Sequence, residues 1–204
     1  GDTHLKLLDL GAGNGWLSYR LSRLGHYPAA VDLLVNSMDG LGAASHYLPH
    51  LPTPFPRFRA ELENLPFEDE QFDCAIFNAS FHYSEDYQRT LREAMRCVRH
   101  HGTVIIADTA WYSSELAGKR MIAERKAAFH KRFGYAPQEL PRQEFLTDDR
   151  LERLERQLGV KWETHTPFYG LRWALRPVMA RLRKQREPSK FRIYTAKVSH
   201  DSPF

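Results

Sequence analysis

A glycine-rich turn near the N-terminus constrains the fold of this chain more than any other feature. The apolar residues 5–10 run directly into glycines at positions 11, 13 and 15, and residues 16–24 then carry leucines at helical spacing. This pattern predicts a strand, a tight turn and a helix. Because glycine has no Cβ, the backbone can turn tightly and a ligand can approach the amides at the helix N-terminus. We therefore predict a strand, turn and helix unit with a ligand site at its turn.

Strand-like and helix-like segments alternate through the first half of the chain. Further strands are predicted at residues 29–32, 55–60, 72–77 and 103–107, and helices at residues 37–47 and 86–99. Beyond Asp108 the patterns predict helices at 113–134 and 147–158 and strands at 160–166 and 191–198. Between those two strands they predict a basic amphipathic helix over 170–185, which is interrupted at Pro177. Alternation at this interval indicates an α/β fold, in which helices cover both faces of an open parallel sheet.

The length of 204 residues and the hydrophobic content of 42% suffice for one domain with a hydrophobic core. We expect a single domain over residues 1–204, with a cofactor-binding half (1–108) and a lid and substrate-side half (109–204). No apolar stretch reaches the length of a membrane span, no signal-peptide pattern occurs, and Cys74 and Cys97 are interpreted as buried thiols. These features predict a cytoplasmic protein with no integral membrane association.

Charge is distributed unevenly along the chain. Residues 1–110 carry 9 Lys and Arg against 14 Asp and Glu, whereas residues 111–204 carry 20 against 11. The densest basic segment is residues 172–192. A solvated helix face is the favoured interpretation of this segment, and contact with an anionic partner, a nucleic acid or a lipid surface is the alternative.

An acidic residue, Asp32, ends the second predicted strand seventeen residues after Gly15. A carboxylate at this place can accept two hydrogen bonds from the vicinal hydroxyls of a ribose, although a surface acid at a strand end is the simpler interpretation of this residue alone. A dinucleotide-binding fingerprint would have its third glycine at position 16, where this chain has Trp16. The tryptophan argues against a nicotinamide-dependent oxidoreductase.

Three motifs in this half of the chain resemble those of one enzyme family. The G-x-G-x-G spacing, preceded by Asp9, is similar to motif I of class I S-adenosylmethionine-dependent methyltransferases, and Asp32 matches the acid that ends their second strand. The stretch AELENLPFEDEQFDCAIFNASFHY at residues 60–83 resembles the region from the third to the fourth strand in the type 11, ubiquinone-biosynthesis-like family. The resemblance implies a Rossmann-like doubly wound fold. Its sheet would be seven-stranded and mostly parallel with an antiparallel last strand, and helical lid insertions would follow strand five and precede the last strand.

The resemblance also implies S-adenosylmethionine as the cofactor. In that family the acid at the position of Asp32 binds the ribose, an acid at the position of Glu61, usually Asp, binds the adenine amino group, and the backbone of the next residue, here Leu62, contacts the ring edge. The end of strand four passes beside the sulfonium. The cofactor-binding residues carried over to this chain are Asp9, Gly11, Ala12, Gly13, Gly15, Asp32, Leu33, Glu61, Leu62, Asn78, Ala79 and Ser80.

Methyl transfer from a sulfonium is an in-line displacement by an activated donor, so the protein mainly has to align the acceptor and exclude water. A general base is needed only for a protonated acceptor. His82, four residues after Asn78, is the candidate base, and a loop histidine packed on its aromatic neighbours is the alternative. Asp108, at the end of strand five, is a second candidate catalytic residue or a cap of the next segment. No CxxC or HExxH motif occurs, and no metal is predicted.

We predict a methyltransferase acting on an O, N or C atom of a small organic acceptor. Residues 111–145 mix apolar and basic side chains and form the predicted lid over that acceptor. The chain has Asn78-Ala79-Ser80-Phe81 where methyltransferases of base amines have Asn/Asp-Pro-Pro-aromatic, so nucleic acid is not the expected partner. Two alternatives remain. One is a module that binds S-adenosylmethionine or a nucleotide without catalysis, and the other is a nucleic-acid methyltransferase whose basic second half attracts the nucleic acid. The sequence leaves the oligomeric state open.

Overall fold

A seven-stranded sheet forms the centre of the computed structural model, which describes residues 4–136 and 141–200. The strands are β1 (Lys6–Leu10), β2 (Tyr27–Asp32), β3 (Arg57–Arg59), β4 (Phe72–Asn78), β5 (Val98–Ala107), β6 (Ala110–Trp111), β7 (Glu163–His165), β8 (Lys190–Phe191) and β9 (Ile193–Lys197). The helices are α1 (Trp16–Arg23), α2 (Tyr87–Cys97), α3 (Glu115–Phe133), α4 (Asp148–Leu158), α5 (Leu171–Ala174) and α6 (Arg176–Leu182). β6 and β8 pair with each other as a separate ribbon.

The strand order in the sheet is β3-β2-β1-β4-β5-β9-β7. The first five of these strands pair in parallel, whereas β9 runs antiparallel to both β5 and β7. The prediction of a Rossmann-like, mostly parallel sheet with an antiparallel last strand is therefore confirmed. The chain runs outward from β1 to β3 and returns to β4 on the other side of β1. The carboxyl ends of β1 and β4 thus flank the topological switch point, where open α/β sheets bind ligands.

The central strands are buried on both faces, as expected for parallel strands that helices cover. Leu8 of β1 and Phe77 of β4 have no exposed surface, and they share one apolar cluster with Leu91 of α2, Leu154 of α4 and Tyr194 of β9. Side chains from before and after residue 108 therefore contribute to the same core.

One predicted helix of the first half is wrong. In place of an α-helix at residues 37–47 the chain forms short 3₁₀ turns at Leu41–His46 and Leu48–His50. Gly40 and Gly42 lie so close to residues 34–36 that a Cβ on either would stand within 2.7 Å of a backbone carbonyl oxygen. Because the chain folds back on itself here, and because glycine is a weak helix former, the regular helix is lost.

Two helical insertions lie where the sequence predicts them, after β5 and before β9. α3 begins after Ser114 and α4 after Thr147, and each capping hydroxyl accepts a hydrogen bond from a backbone amide of the first turn. The second insertion divides into α5 and α6 at Leu175, two residues before Pro177. Within residues 4–136 and 141–200, no helix is long and apolar enough to cross a membrane.

Candidate active site

The carboxyl ends of β1, β2, β4 and β5 meet at one edge of the sheet. Leu10 pairs with Val31 and with Phe77, and Asn78 pairs with Ala107, so the four strands finish almost level with one another. The glycine loop, Asp32, the turn after β4 and Asp108 directly follow these strand ends. The fold therefore brings most of the predicted site residues to a single edge, hereafter the carboxyl edge.

The carboxylate of Asp32 connects the glycine loop with the segment that follows β2. Its Oδ2 accepts a hydrogen bond from the amide of Gly13 (2.8 Å), and its Oδ1 accepts one from the amide of Leu34 (2.8 Å). The side chain is half-buried, and these two hydrogen bonds fix the direction of its carboxylate. A carboxylate has about four acceptor positions, and two therefore remain for hydroxyl groups of a ligand.

The glycine loop adopts a backbone that residues with side chains rarely adopt. Gly11, Gly13 and Gly15 have φ angles of 71°, 53° and 77°. At Gly11 an added Cβ would lie 2.4 Å from the Cβ of Ser80, and at Gly15 it would lie 3.1 Å from the ring of Phe55. The loop therefore depends on glycine both for its turn and for its close approach to the neighbouring segments.

Asp9 lies beneath the glycine loop and is 1% exposed. Its Oδ2 accepts hydrogen bonds from the amide (3.1 Å) and the hydroxyl (2.7 Å) of Ser18. Burial raises the pKa of Asp9 to about 6, and the bonds from Ser18 oppose that shift. The carboxylate thus fixes α1 against β1 and offers almost no surface to a ligand.

The non-glycine residues that directly follow β4 and β5 both adopt the left-handed conformation. They are Ala79, with φ 55°, and Asp108, with φ 53°. The amide of Ala79 donates to the carbonyl oxygen of Ala107 (3.0 Å), and the buried hydroxyl of Ser80 donates to the carbonyl oxygen of Leu10. The exposed Asp108 carboxylate makes no hydrogen bond or ion pair with the rest of the described chain. Such conformations cost energy and concentrate at functional sites.

The two residues predicted to contact adenine, Glu61 and Leu62, lie on the β2 side of the carboxyl edge, as does Leu33, which is predicted to bind the cofactor. Leu33 is 53% exposed. Glu61 is exposed in a tight turn, in which the amide of Asn64 donates to its carbonyl oxygen (3.2 Å). The side chain of Leu62 packs against the core. The carboxylate of Glu61 and the apolar surface of Leu33 are therefore accessible to a ligand, whereas Leu62 can contact a ligand only through its backbone.

Residues 143–146, hereafter the strap, cross the carboxyl edge between the turn after β4 and the ribbon strand β6. The amide of Glu144 donates to the carbonyl oxygen of His82 (3.1 Å), and the amide of Leu146 donates to that of Ala110 (2.8 Å). Because the strap bonds to segments that follow two different strands, it covers the space between their ends.

His82 is half-buried beside the strap. Its ring lies 4.2 Å from that of Tyr83, and its Nδ1 is buried without a hydrogen-bond partner in the described chain. Burial lowers the pKa of His82; the guanidinium groups of Arg142 and Arg125 lower it further, and the carboxylate of Glu144 opposes them. The imidazole is therefore held in its neutral form, which a general base requires, while the ring contact agrees with the packing alternative.

Ion pairs connect the strap with the helices around it. Arg125 of α3 pairs with Glu144 (2.7 Å), and Arg150 of α4 makes a two-point ion pair with Glu115 of α3. Arg150 also donates to the carbonyl oxygen of Phe145 (3.0 Å) and stacks on its ring at 4.1 Å. The strap, α3 and α4 are thus joined into one covering unit.

Three residues that shape this site, namely Ser18, Glu144 and Arg150, are not indicated by any pattern in the sequence. Ser18 meets Asp9 only because α1 packs on β1, and nothing in the local pattern indicates that contact. Glu144 and Arg150 are separated from His82 by more than two elements of the fold. Their contacts depend on the path of the strap, which no motif indicates.

The sheet order, the glycine loop and the acid at the end of β2 together define a Rossmann-like methyltransferase of class I. A protein-family model described as "Methyltransferase domain" matches residues 8–106, which run from β1 almost to the end of β5. Residues 8–106 thus carry the methyltransferase domain of the type 11 family of class I S-adenosylmethionine-dependent methyltransferases. The resemblance seen in the motifs is thereby confirmed, and S-adenosylmethionine is the cofactor that goes with this family.

Curated relatives match half of the chain or somewhat more. The malonyl-[acyl-carrier protein] O-methyltransferase of Erwinia pyrifoliae is 31% identical over 106 residues, which are 50% of this chain and 37% of the relative. The demethylmenaquinone methyltransferase of Corynebacterium urealyticum is 33% identical over 103 residues, 50% of this chain and 41% of the relative. The phthiotriol/phenolphthiotriol dimycocerosates methyltransferase 1 of Mycobacterium ulcerans is 30% identical over 139 residues, 61% of this chain and 49% of the relative. The chain thus spans less than half the length of each relative.

Solved structures match the fold over nearly the whole chain. An S-adenosylmethionine dependent methyltransferase from Mesorhizobium loti superimposes with a TM-score of 0.64 at 21% identity, covering 95% of this chain and 91% of that one. The YcgJ protein from Bacillus subtilis gives a TM-score of 0.64 at 15% identity, covering 98% and 93%. At such identities the likeness concerns the fold alone.

The residues at the carboxyl edge fit S-adenosylmethionine. A Cβ added to Gly13 would meet only the carbonyl oxygen of Asp39, at 3.6 Å, so the space above the glycine loop is open to a ligand. Asp32 retains acceptor positions for ribose hydroxyls, and the exposed side chain of Leu33 stands beside it for the adenine ring. No cluster of His, Cys, Asp and Glu suited to a metal ion occurs in the residues that the structure describes.

Proposed function

We propose that the chain is an S-adenosylmethionine-dependent methyltransferase that transfers a methyl group to an O, N or C atom of a small organic acceptor. The observation that carries this proposal is the position of the Asp32 carboxylate. Its hydrogen bonds to the amides of Gly13 and Leu34 hold it between the glycine loop and the end of β2. A ligand that lies on the loop and has a ribose therefore meets an oriented acceptor group.

Each end of the cofactor has its own set of residues in this proposal. Asp32 accepts hydrogen bonds from the ribose hydroxyls, while Leu33, Glu61 and the backbone of Leu62 contact the adenine. The methionine end lies against the loop formed by Gly11, Ala12, Gly13 and Gly15 and against the strand-four turn formed by Asn78, Ala79 and Ser80. Asp9 is a positioning residue, because its bonds to Ser18 orient α1 and hence the loop that precedes it.

The bound cofactor supplies a methyl group that is already activated for displacement. The strap shields the space between the ends of β4 and β5, so that binding energy is used for alignment of the acceptor there. The neutral imidazole of His82 takes the proton of a protonated acceptor. The exposed carboxylate of Asp108 hydrogen-bonds the acceptor from the end of β5.

The names of the relatives support a small organic acceptor. One relative is named for malonyl-[acyl-carrier protein] and another for demethylmenaquinone. A nucleic acid is not part of the proposal. We also propose a cytoplasmic location, because Cys74 and Cys97 are buried free thiols, as is typical of proteins from reducing compartments.

Isothermal titration with S-adenosylmethionine and S-adenosylhomocysteine tests the cofactor site. We expect Asp32→Ala to weaken both affinities at least about tenfold, because a hydrogen bond to a charged group contributes about 1.5–3 kcal/mol. Asp39→Ala removes an exposed acid from the same segment and should leave both affinities unchanged. Wild-type affinity in a folded Asp32→Ala protein would refute the assignment.

A methyl-release assay against carboxylic acids, phenols, quinols and amines then tests catalysis. Turnover of one acceptor class supports the proposed enzyme and names its substrate class. Tight cofactor binding with no turnover of any acceptor supports the alternative of a non-catalytic binding module. Binding of NAD in place of S-adenosylmethionine would indicate an oxidoreductase instead.

A further inference from the structure

The helices α5 and α6 present an apolar ridge to solvent. Leu171, Leu175, Val178 and Leu182 follow the spacing i, i+4, i+7, i+11, and their exposed fractions are 75%, 55%, 53% and 74%. The amide of Leu175 bonds to the carbonyl oxygen of Leu171 (3.0 Å), and that of Met179 bonds to Leu175 (3.0 Å), so helical geometry continues across the junction. The four side chains therefore share one face, hereafter the α5–α6 ridge. Exposed apolar surface of this kind marks an interaction site.

Basic residues flank the α5–α6 ridge on both sides. Arg172, Arg176 and Arg183 each follow a ridge residue by one position, which puts them along one flank, and Arg181 lies on the other. From residue 164 to residue 186 the chain has six Lys and Arg and no Asp or Glu. Within the described chain no acid pairs with Arg172, Arg181 or Arg183, so these charges are available to an external anion.

A groove of about 900 Å³ follows the first of these flanks. Arg172, Arg176 and Arg183 line it together with the apolar side chains of Leu175 and Met179. The groove thus combines guanidinium groups with aliphatic surface. This is the combination that an anionic headgroup attached to an acyl chain requires.

We propose that the α5–α6 ridge docks the protein on a bilayer surface that contains anionic phospholipids. The ridge leucines and valine enter the boundary between headgroups and acyl chains, and the flanking arginines contact the lipid phosphates. Phe168 and Tyr169, which are 75% and 48% exposed, extend the apolar surface next to the ridge with aromatic rings of the kind that membrane interfaces favour. Charge complementarity selects this occupant, because the ridge and its flanks have cations and apolar side chains, and the acid in the groove lining, Glu124, is paired with Arg186.

The location of the ridge relates it to the candidate active site. β8 follows α6 and pairs with β6, which begins two residues after Asp108. Residues 183–189 thus connect the ridge to a ribbon that adjoins the carboxyl edge. Docking itself does not depend on the proposed methyl transfer.

Vesicle co-sedimentation without cofactor or acceptor tests the docking proposal. The probes are vesicles of phosphatidylcholine alone and of phosphatidylcholine mixed with phosphatidylglycerol. We expect binding to the mixed vesicles at low salt, weaker binding as salt screens the charges, and little binding to phosphatidylcholine alone. Absence of binding to the mixed vesicles at low salt would overturn the proposal and would point to an acidic protein as the partner of this surface.

Substitution of the ridge separates docking from general charge attraction. We expect Leu175→Glu combined with Leu182→Glu to weaken binding to the mixed vesicles at least about tenfold, because both side chains lose their apolar insertion. Leu24→Glu combined with Met38→Glu, at side chains of the other half that are 70% and 88% exposed, adds the same charge and is the matched control, which should bind as the wild type does. Equal loss in the control would overturn the proposal.

The arginines are tested in the same assay. We expect Arg172→Gln combined with Arg183→Gln to lower the affinity by roughly fivefold for each cation removed. Arg89→Gln combined with Arg92→Gln removes two exposed cations from α2 and should have no comparable effect. Circular dichroism of every variant shows whether the fold is retained. An equal loss in the α2 variant would indicate non-specific attraction and contradict a site at the ridge.

Discussion

Burial makes the carboxylate of Asp9 difficult to ionise. Its pKa is raised from 3.8 to about 6, because the two hydrogen bonds from Ser18 offset only part of the lost hydration. The folded protein therefore holds this proton more tightly than the unfolded chain does. The stabilisation that follows is fully present below pH 3.8 and is lost as the pH rises through about 6. At about 1.4 kcal/mol per pKa unit, the loss is on the order of 3 kcal/mol.

Asp9→Asn tests this linkage, because it removes the titration and keeps the shape of the side chain. Urea unfolding of the wild type and the variant between pH 4 and pH 7 gives the two free energies of unfolding. We expect the wild type to lose on the order of 3 kcal/mol relative to the variant over this range. Asp39→Asn, at an exposed acid, should follow the wild type. Parallel curves for the wild type and Asp9→Asn would show that the pKa of Asp9 is not raised.

A second prediction concerns His82 and rests on the proposed methyl transfer. Burial lowers the pKa of this imidazole from 6.5, so the neutral base persists into mildly acidic solution. We expect kcat/KM of the wild type to fall only below pH 6.5. His82→Gln should lose this acid limb of the pH profile, and its kcat/KM should be about 100-fold lower than that of the wild type. Tyr83→Phe should retain the limb. If His82→Gln retains it as well, the histidine is a packing residue.

The roles of Asp32, Asp9 and His82 can be predicted from the sequence to different extents, and the reason is physical. Asp32 and the glycines are predicted because their role depends on positions close together in a single strand, turn and helix unit. Asp9 is predicted as part of a motif, but the direction of its carboxylate depends on how α1 packs on β1. His82 is predicted from its place after β4, whereas its electrostatic surroundings come from Arg125, on a helix far along the chain.

At the scale of elements, α3 packs on the strap at Gly118 with no room for a side chain. A Cβ on Gly118 of α3 would lie 2.3–2.5 Å from ring atoms of Phe145, which is 1% exposed and has little room to move. Alanine is normally the better helix former, by about 1 kcal/mol. The steric conflict outweighs that preference, because overpacking in a filled core costs about 1–3 kcal/mol.

Gly118→Ala is therefore expected to lower the free energy of unfolding by about 1–3 kcal/mol, measured by urea denaturation. Ala127→Gly, at an exposed position of the same helix, is the control for helix propensity and should lower it by about 0.5–1 kcal/mol. A stabilised Gly118→Ala protein would mean that propensity alone acts at this position and that α3 does not lie against Phe145.

Elements are predictable from sequence where local chemistry determines them. Thr147 caps α4, and the leucine spacing that follows predicts its length correctly. The predicted gap between α2 and β5 does not exist, because β5 begins at Val98, which pairs with Phe72 of β4. That pairing, like the approach of Gly40 to residues 34–36, joins segments that a local pattern does not connect.

At the scale of the whole molecule, the alternation of strands and helices determines the sheet, and the sheet determines where the site lies. Once β1, β2, β4 and β5 are parallel, the loops after them must meet at one edge. The strap and the α5–α6 ridge do not follow from this alternation. They belong to insertions whose position was predictable, but whose contacts depend on packing between distant parts of the chain.

The shared core carries a prediction for the molecule as a unit. Leu91 of the first half and Leu154 of the second belong to one buried cluster, so we propose that residues 1–204 unfold as a single domain. Three of the four tryptophans, Trp111, Trp162 and Trp173, lie in the second half, so fluorescence follows that half while far-ultraviolet circular dichroism follows both. The two signals should change together during urea unfolding. Leu91→Ala and Leu154→Ala should each destabilise this one transition by about 2–5 kcal/mol. If fluorescence and circular dichroism instead separated, with each variant displacing only one of them, the two halves would be independent units joined at the carboxyl edge.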